Sequence, residues 1–517
     1  MPPDRESLTA AREQRLREME MEGIVRDVVV YFIFVVIAFL LAFTLRGHSS
    51  YTMHTEIRNI LQSGFSDVKT PQDYWNWVNE VVMPSLYPET DWAGRCIGWR
   101  DAQQIADFSN LRIGVPRLRQ FRIRDNTCTL ESRLAQMTHA QRCLEEYSMS
   151  TDDKAPYLPN WMPLTEENVQ IFGSGLTNLT DLSNSPLLRH SPWVYQSALS
   201  LAGVSYSANV FTYEGGGYVA EFKRTKRETL RVLKHLQDHH WIDEKTRAVF
   251  LEFSTYNPNA NLFTSPIFVM EFLASGDTVP RMDIKVFTVY DDVSGMQLIV
   301  WAFGAIFAVY VFVYARIEWK RMKAMGYKKY FSEYFNAITL GMLIFCLLSI
   351  IMYLVRMIMA RVAASALEGA GSESYVNYGA IATHSEIFMP IVGFASFFAT
   401  LNFLKILNFN KRLAMLGMVL SIAMQDIKPF AIVFIGFFVA FAQLYYFSLG
   451  TILEEYSGLI TTIETLMQAS LGTFDFITMR VRISKIPIPI FFLIQFLHFV
   501  YCRTHHQHWA LWLSYCS

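Results

Sequence analysis

The run Leu471-Gly472-Thr473-Phe474-Asp475 carries the groups of greatest chemical consequence in this 517-residue chain. It closes a semi-polar segment lying between two apolar stretches, Pro429–Leu453 and Ile486–Tyr501. Two helices of membrane length that flank a short re-entrant helix ending in a glycine turn are what a cation pore requires. Irregular backbone at membrane depth persists only where it is buried in protein or lines water. Carbonyl oxygens freed by such a turn replace the hydration shell of an ion. Ser457–Leu471 sets Ile460, Ile463, Leu466 and Met467 on one helical face, and the partly negative C-terminal end of such a helix favours cations. Leu471, Gly472 and Thr473 are the candidate carbonyl donors. Asp475 is the candidate carboxylate, with a solvated turn residue as its other reading.

Lys405 is the candidate gating charge. A voltage sensor needs several basic residues at helical spacing, because one charge contributes only ~2.3 kcal/mol per 100 mV. Here Lys411 and Arg412 follow only beyond Lys405. A lone lysine also reads as a snorkelling anchor, so voltage dependence is expected to be weak. Cys128 and Cys143 bracket a short polar segment and form the candidate disulfide; two free thiols, or Cys96 paired with one of them, are the alternatives. A bridge over so short a loop contributes about 3 kcal/mol. Asn178-Leu179-Thr180 is an N-glycosylation sequon. Cys502, His505, His506 and His508 are metal-ligating types, but no second set closes a tetrahedron. Gly215-Gly216-Gly217 lacks the Lys-Ser/Thr that follows in a phosphate loop and reads as a hairpin tip. No Ser/His/Asp order, zinc-protease motif or dinucleotide fingerprint occurs. Neither an enzyme nor a bound cofactor is expected, only permeant cations such as calcium, sodium and potassium.

These groups need a membrane scaffold to position them. Half of the chain is hydrophobic, 18% is charged, the net charge is −1, and 40 Phe and 25 Tyr are present. That balance suits lipid-facing helices with interfacial aromatics and gives no reason to expect nucleic acid as a partner. Windows free of charge run Val28–Leu45, Val293–Ala315, Phe335–Val355, Ile387–Leu404, Pro429–Leu453 and, more weakly, Ile486–Tyr501. Most reach the ~18–20 residues that cross a ~30 Å hydrocarbon layer, so six spans are expected. Basic residues cluster before the first span, after the second (Arg316, Lys320, Arg321, Lys323, Lys328, Lys329) and after the fourth. The positive-inside rule puts those three segments in the cytoplasm and the long loop between the first two spans outside. The charged 5–27 segment reads as a solvated helix, and the first span as a signal anchor rather than a cleaved signal. Within the long loop, Thr225-Lys226-Arg227-Glu228 is a capping-box pattern. Ala248–Tyr256 reads as a half-buried strand, and Leu262–Phe272 as its return after an Asn257-Pro258-Asn259 turn.

Asn110-Leu111-Arg112-Ile113-Gly114-Val115-Pro116-Arg117-Leu118-Arg119-Gln120, with Arg122, Arg124 and Cys128 following, resembles the outer domain of the polycystins. The likeness resumes at Asp153–Tyr157, at Arg224–Thr229 and from Trp241 to Phe263. Phe403–Lys411 and Phe430–Gly450 resemble the fourth and fifth spans of the channel-forming, polycystin-2-like branch. The resemblance covers about 45 to 495. It implies a polytopic α-helical membrane protein with six transmembrane helices, arranged as a voltage-sensor-like four-helix bundle plus a pore module. A large α/β polycystin domain would sit outside the membrane between the first and second spans. The expected division is 1–27 cytoplasmic helix, 28–45 first span, 46–292 outer domain, 293–407 spans two to four, 408–428 cytoplasmic linker, 429–501 pore module and 502–517 tail.

The resemblance further implies a subunit of a homotetrameric or heterotetrameric TRP-type cation channel, non-selective and calcium-permeable. Such a channel works in the plasma membrane, the ciliary membrane or the endoplasmic reticulum, with lipid and other polycystin subunits as partners. Two departures matter. The family's filter usually reads Leu-Gly-Asp, whereas Thr473 follows Leu471-Gly472 here, so the ring of carboxylates is displaced to Asp475 or lost. About the last twenty residues depart from the family pattern and read as an alternative or truncated ending. A non-conducting assembly subunit is therefore the second expectation, and a secondary transporter the third.

Overall fold

The computed structural model describes residues 5–45, 49–98, 101–125, 127–128, 137, 143–165, 191–289, 295–332, 334–370, 374–407, 411–451 and 453–471. The sixth apolar window, Ile486–Tyr501, and the tail lie outside the described residues. Within them, five helices are long and apolar enough to cross a membrane. The chain divides into two compact units, 1–406 and 407–517.

In the first unit, α1 (Arg5–Leu45) is one helix from the charged N-terminal segment through the first span. The outer domain follows. Its sheet has six antiparallel strands: β1 (Leu111–Arg122), β2 (Tyr195–Gln196), β3 (Gly217–Glu221), β4 (Thr246–Asn257), β5 (Leu262–Phe272) and β6 (Thr278–Phe287). Their spatial order is β6-β5-β4-β1-β3-β2. Helices α2 (Ser50–Gln62), α3 (Pro71–Trp77, prolonged by a wide turn and a last turn to Leu86) and α4 (Lys226–Asp238) pack on one face. Phe65, Trp77, Leu118, Leu236, Leu251 and Phe268 form the core beneath them. The α4 start is fixed as the capping pattern requires, because Thr225 accepts a hydrogen bond from the Glu228 amide.

Strand β4 differs from its sequence reading. Thr246 to Thr255 are buried without interruption rather than alternately. The reason is position: β4 is interior to the sheet, and Phe121, Tyr147, Tyr213, Ala248 and Phe250 build a second apolar cluster on the opposite face. The triglycine also differs. Tyr213 ends a small ladder with Tyr206–Ser207, and Gly217 opens β3, so the glycines join two strands instead of tipping a hairpin. A Cβ on Gly215 would overlap the backbone of Gly203, and one on Gly216 would come within 2.7 Å of Gln196 O.

Four helices complete the first unit: α1, α5 (Gly295–Met325), α7 (Tyr334–Ala370) and α8 (Gly379–Leu407), with the short α6 (Tyr327–Ser332) between α5 and α7. Tyr31, Phe34, Val311, Met342, Cys346, Ala395 and Ala399 form their common core. At 37 residues, α7 is about 55 Å long and outreaches a ~30 Å hydrocarbon layer. Its outer end therefore meets the outer domain, where Ala363 packs with Phe263, Phe287, Val289 and Tyr378.

The second unit holds α9 (Lys411–Leu449) and α10 (Leu459–Ser470). The segment expected as a linker is helical from Lys411 and runs into the fifth span without a break at Pro429. Proline within a helix removes one hydrogen bond, and a membrane helix tolerates that loss.

Candidate functional site

The pore-like unit is assembled by a turn between α9 and α10. After Leu449 the chain reverses at Gly450, whose amide donates to Tyr446 O at 3.0 Å. A Cβ there would overlap Tyr446 O and come within 2.9 Å of Tyr456 O, so glycine permits the two segments to touch. Tyr445 and Tyr456 stack with centroids 5.6 Å apart. Thr462 Oγ1 donates to Gly458 O at 2.7 Å, and Thr465 Oγ1 to Glu455 O at 3.1 Å, tying the start of α10 to its approach. Glu454 and Glu455 are exposed beside it.

Helix α10 ends at Leu471, whose amide bonds Met467 O and Gln468 O at 3.1 Å and whose side chain is 82% exposed. Leu471 is the C-cap of this three-turn helix, which the sequence reading ran over Ser457–Leu471. Gly472, Thr473 and Asp475 lie outside the described residues, as does Asn178.

The four-helix bundle holds a polar cluster at its centre. Asn402 is fully buried. Its Nδ2 donates to Tyr31 Oη at 3.1 Å, and its Oδ1 accepts from Thr339 Oγ1 at 2.8 Å. Tyr31 Oη in turn donates to Ala399 O at 2.8 Å and lies 3.0 Å from Met342 Sδ. Phe403 stacks on the Tyr31 ring at 6.2 Å. Three helices are thereby joined by neutral groups. One turn of α8 further on stands Lys405, whose side chain lies outside the described residues. At the basic end of the bundle, Tyr330 Oη donates to Glu318 Oε1 at 2.8 Å and Asn336 Nδ2 to Tyr330 O at 3.1 Å, pinning α6 to α5 and α7.

The outer domain is organised by buried arginines of β1. Arg117 Nε and Arg119 Nη2 reach the two carboxylate oxygens of Glu252 on β4 at 2.6 and 2.5 Å, all three side chains about 5% exposed. Burial alone would raise the Glu252 carboxyl, but the two guanidiniums override it and hold the pKa at about 2. Arg119 Nη1 also donates to Glu214 O and Gly216 O, which is what the triglycine connection serves. Arg122 lies between Asp243 and Asp153 at 3.0 and 3.6 Å, its guanidinium over the Trp161 ring. Asp152 is different: it is buried, and among the described residues neither carboxylate oxygen has a hydrogen bond of good geometry. Burial pushes its pKa up to about 7, because Lys154, 3.7 Å away, bonds instead to Glu214 at 2.8 Å. Cys128 and Cys143 are joined, with Cα atoms 5.4 Å apart, and Cys96 is exposed with no disulfide partner among the described residues.

The connector from α7 to α8 is built into this domain. Val115 N donates to Ser374 O at 3.3 Å across the β1 bulge, where Gly114 takes φ +65° and a Cβ would clash with Ser374 O. Asn377 Nδ2 donates to Leu201 O and Ala202 O at 3.0 Å each. Lys285 on β6 pairs with Glu386 of α8 at 2.7 Å. Sequence reasoning missed this dock; the signal available was Tyr375-Val376-Asn377-Tyr378, an aromatic-rich stretch in a place where a polar loop would suffice.

Five helices of membrane length and a β-rich domain between the first two of them define a polytopic membrane protein. Comparison with known families matches a polycystin domain at residues 64–290 and a polycystin cation channel at 291–502. The chain belongs to the polycystin family, which is a family of ion channels and not of enzymes. It is 26% identical to polycystin-2 of Danio rerio over 495 residues, covering 94% of this chain and 51% of that protein. It is 26% identical to polycystin-2-like protein 1 of Homo sapiens over 469 residues, covering 89% and 54%. With polycystin-2-like protein 2 of Homo sapiens it shares 25% over 494 residues, covering 92% and 72%. The chain thus spans about half the length of the first two relatives.

Proposed function

We propose that this chain is a subunit of a tetrameric, non-selective, calcium-permeable cation channel, formed alone or with other polycystin subunits. The observation that carries the reading is α10. It is too short to span a bilayer, is anchored by its own turn to a helix that does, and ends at Leu471, immediately before Gly472. Carbonyls of Leu471, Gly472 and Thr473 would strip water from the ion, and four copies of Asp475 would concentrate divalent cations at the mouth. Exposed Phe430, Phe434, Phe437 and Ile460 supply apolar surface for lipid and neighbouring subunits. The neutral Tyr31–Asn402–Thr339 cluster supports weak voltage dependence, with Lys405 as an anchor rather than a gating charge.

The outer domain then faces the extracellular space or a lumen, and Asn178 carries a glycan. The plasma membrane, the ciliary membrane and the endoplasmic reticulum are the compartments this reading allows. Expression of the chain alone, with cross-linking for tetramers and patch recording in calcium and sodium solutions, tests it. Cation currents whose calcium permeability falls in Asp475→Asn are expected. Surface tetramers that pass no current would overturn conduction and leave an assembly subunit.

A further inference from the structure

A cleft of about 250 Å³ opens where the outer sheet, the Ser374–Tyr378 connector and the start of α8 meet. Its lining includes Arg117, Tyr206, Arg281, Asp283, Lys285 and Glu386. Arg117 spends only Nε on Glu252. Tyr375 covers one face of its guanidinium, 3.9 Å from ring centroid to Cζ. Among the described residues the two Nη atoms make no hydrogen bond, although Glu221 stands across the strand and lends charge.

Tyr206 is 8% exposed, and its hydroxyl stands beside Arg281 and Asp283 with no further hydrogen-bond partner among the described residues. Arg281 donates to Asn209 Oδ1 at 3.2 Å and, among the described residues, meets no carboxylate within ion-pair distance. On the far wall Lys285 is already satisfied, at 2.7 Å from Glu386 and 3.7 Å from Asp283. The cleft is thus lined by one buried guanidinium whose Nη atoms make no hydrogen bond among the described residues, one half-buried guanidinium and one hydroxyl.

We propose that this cleft binds a small carboxylate, held end-on by the Nη edge of Arg117 with Arg281 and the Tyr206 hydroxyl completing its hydrogen bonds. A guanidinium fork matches the planar, two-oxygen geometry of a carboxylate. The cleft has room for acetate, lactate or a free amino acid. The ligand would touch both the outer sheet and the connector that leads into α8, so its occupancy would strengthen that joint.

The test is binding, independent of any current. The purified full-length protein is titrated with sodium acetate against sodium chloride at equal ionic strength, following its thermal unfolding. A saturable rise in Tm specific to acetate is expected. Tyr206→Phe removes only the hydroxyl, so its Tm without ligand should change little while acetate affinity falls about tenfold. Arg281→Gln should weaken acetate comparably. Glycine, acting as a second probe, should compete with acetate. No acetate-specific shift in the parent, or an undiminished shift in both variants, would overturn the proposal.

Discussion

Replacing Glu252 by Gln should cost the outer domain more than any other single polar change. The carboxylate is about 5% exposed and stands between two guanidiniums at 2.5 and 2.6 Å. Removing one partner of a buried ion pair strands the other's charge, which costs about 3–5 kcal/mol. Linkage gives the same scale. The carboxyl drops from its ordinary 4.5 to about 2, and at about 1.4 kcal/mol per pH unit that gap is worth about 3 kcal/mol. Because the folded value is depressed, the contribution is complete above pH 4.5 and is lost as the pH falls through 2. Trp193 and Trp241, both buried in this domain, report its unfolding by fluorescence. For a domain of this size about 3 kcal/mol lowers Tm by roughly 6–12 °C. Glu252→Gln should show that drop at pH 7, and the gap from the parent should narrow below pH 4.5. A variant that melts with the parent at pH 7, or a gap that does not change with acid, would refute the argument.

Four other outcomes are expected. Asp152 is raised to about 7 by burial, so its ionisation weighs against folding as the pH climbs from 3.8; Asp152→Asn should stabilise the domain at pH 8 and little at pH 4, read by the same fluorescence melt. Asn402→Lys would place a cation in the neutral cluster of the bundle, and channel recordings should show voltage dependence steepened by up to ~2.3 kcal/mol per subunit per 100 mV. Cys128→Ser should cost about 3 kcal/mol and speed trypsin cleavage between 128 and 143. Asn377→Ala removes two hydrogen bonds to the 201–202 turn, about 1–2 kcal/mol, and should raise hydrogen exchange in 374–378 without changing exchange in β5.

The apolar windows made the helices legible, because a membrane imposes length and a charge-free face that survive in any single sequence. Their ends were less so. The window that stops at Val355 belongs to a helix that runs to Ala370, since the outer domain supplies new apolar partners where the lipid ends. Leu262–Phe272 was readable as a strand from its β-rich composition, while β4 was read as half-buried because nothing local reveals that both its faces are covered. Glu252 went unnoticed for the same reason: an acid within an apolar strand has no meaning until β1 brings two arginines beside it. The bonds of Asn402 to Tyr31 and Thr339 span 371 and 63 residues and leave no trace in spacing. The short helix of the second unit was legible from the spacing of Ile460, Ile463, Leu466 and Met467.

The connector between α7 and α8 has a mechanical consequence. A helix whose outer end is free can slide or rotate independently of its surroundings. Here the stretch entering α8 is stitched to β1, to the 201–202 turn and to β6, all within a dozen residues. Any displacement of the outer sheet is therefore delivered to the top of α8 as a push or a pull, with almost no slack. The molecule has, in effect, a short rigid linkage between the part that meets its surroundings and the helix bundle beneath.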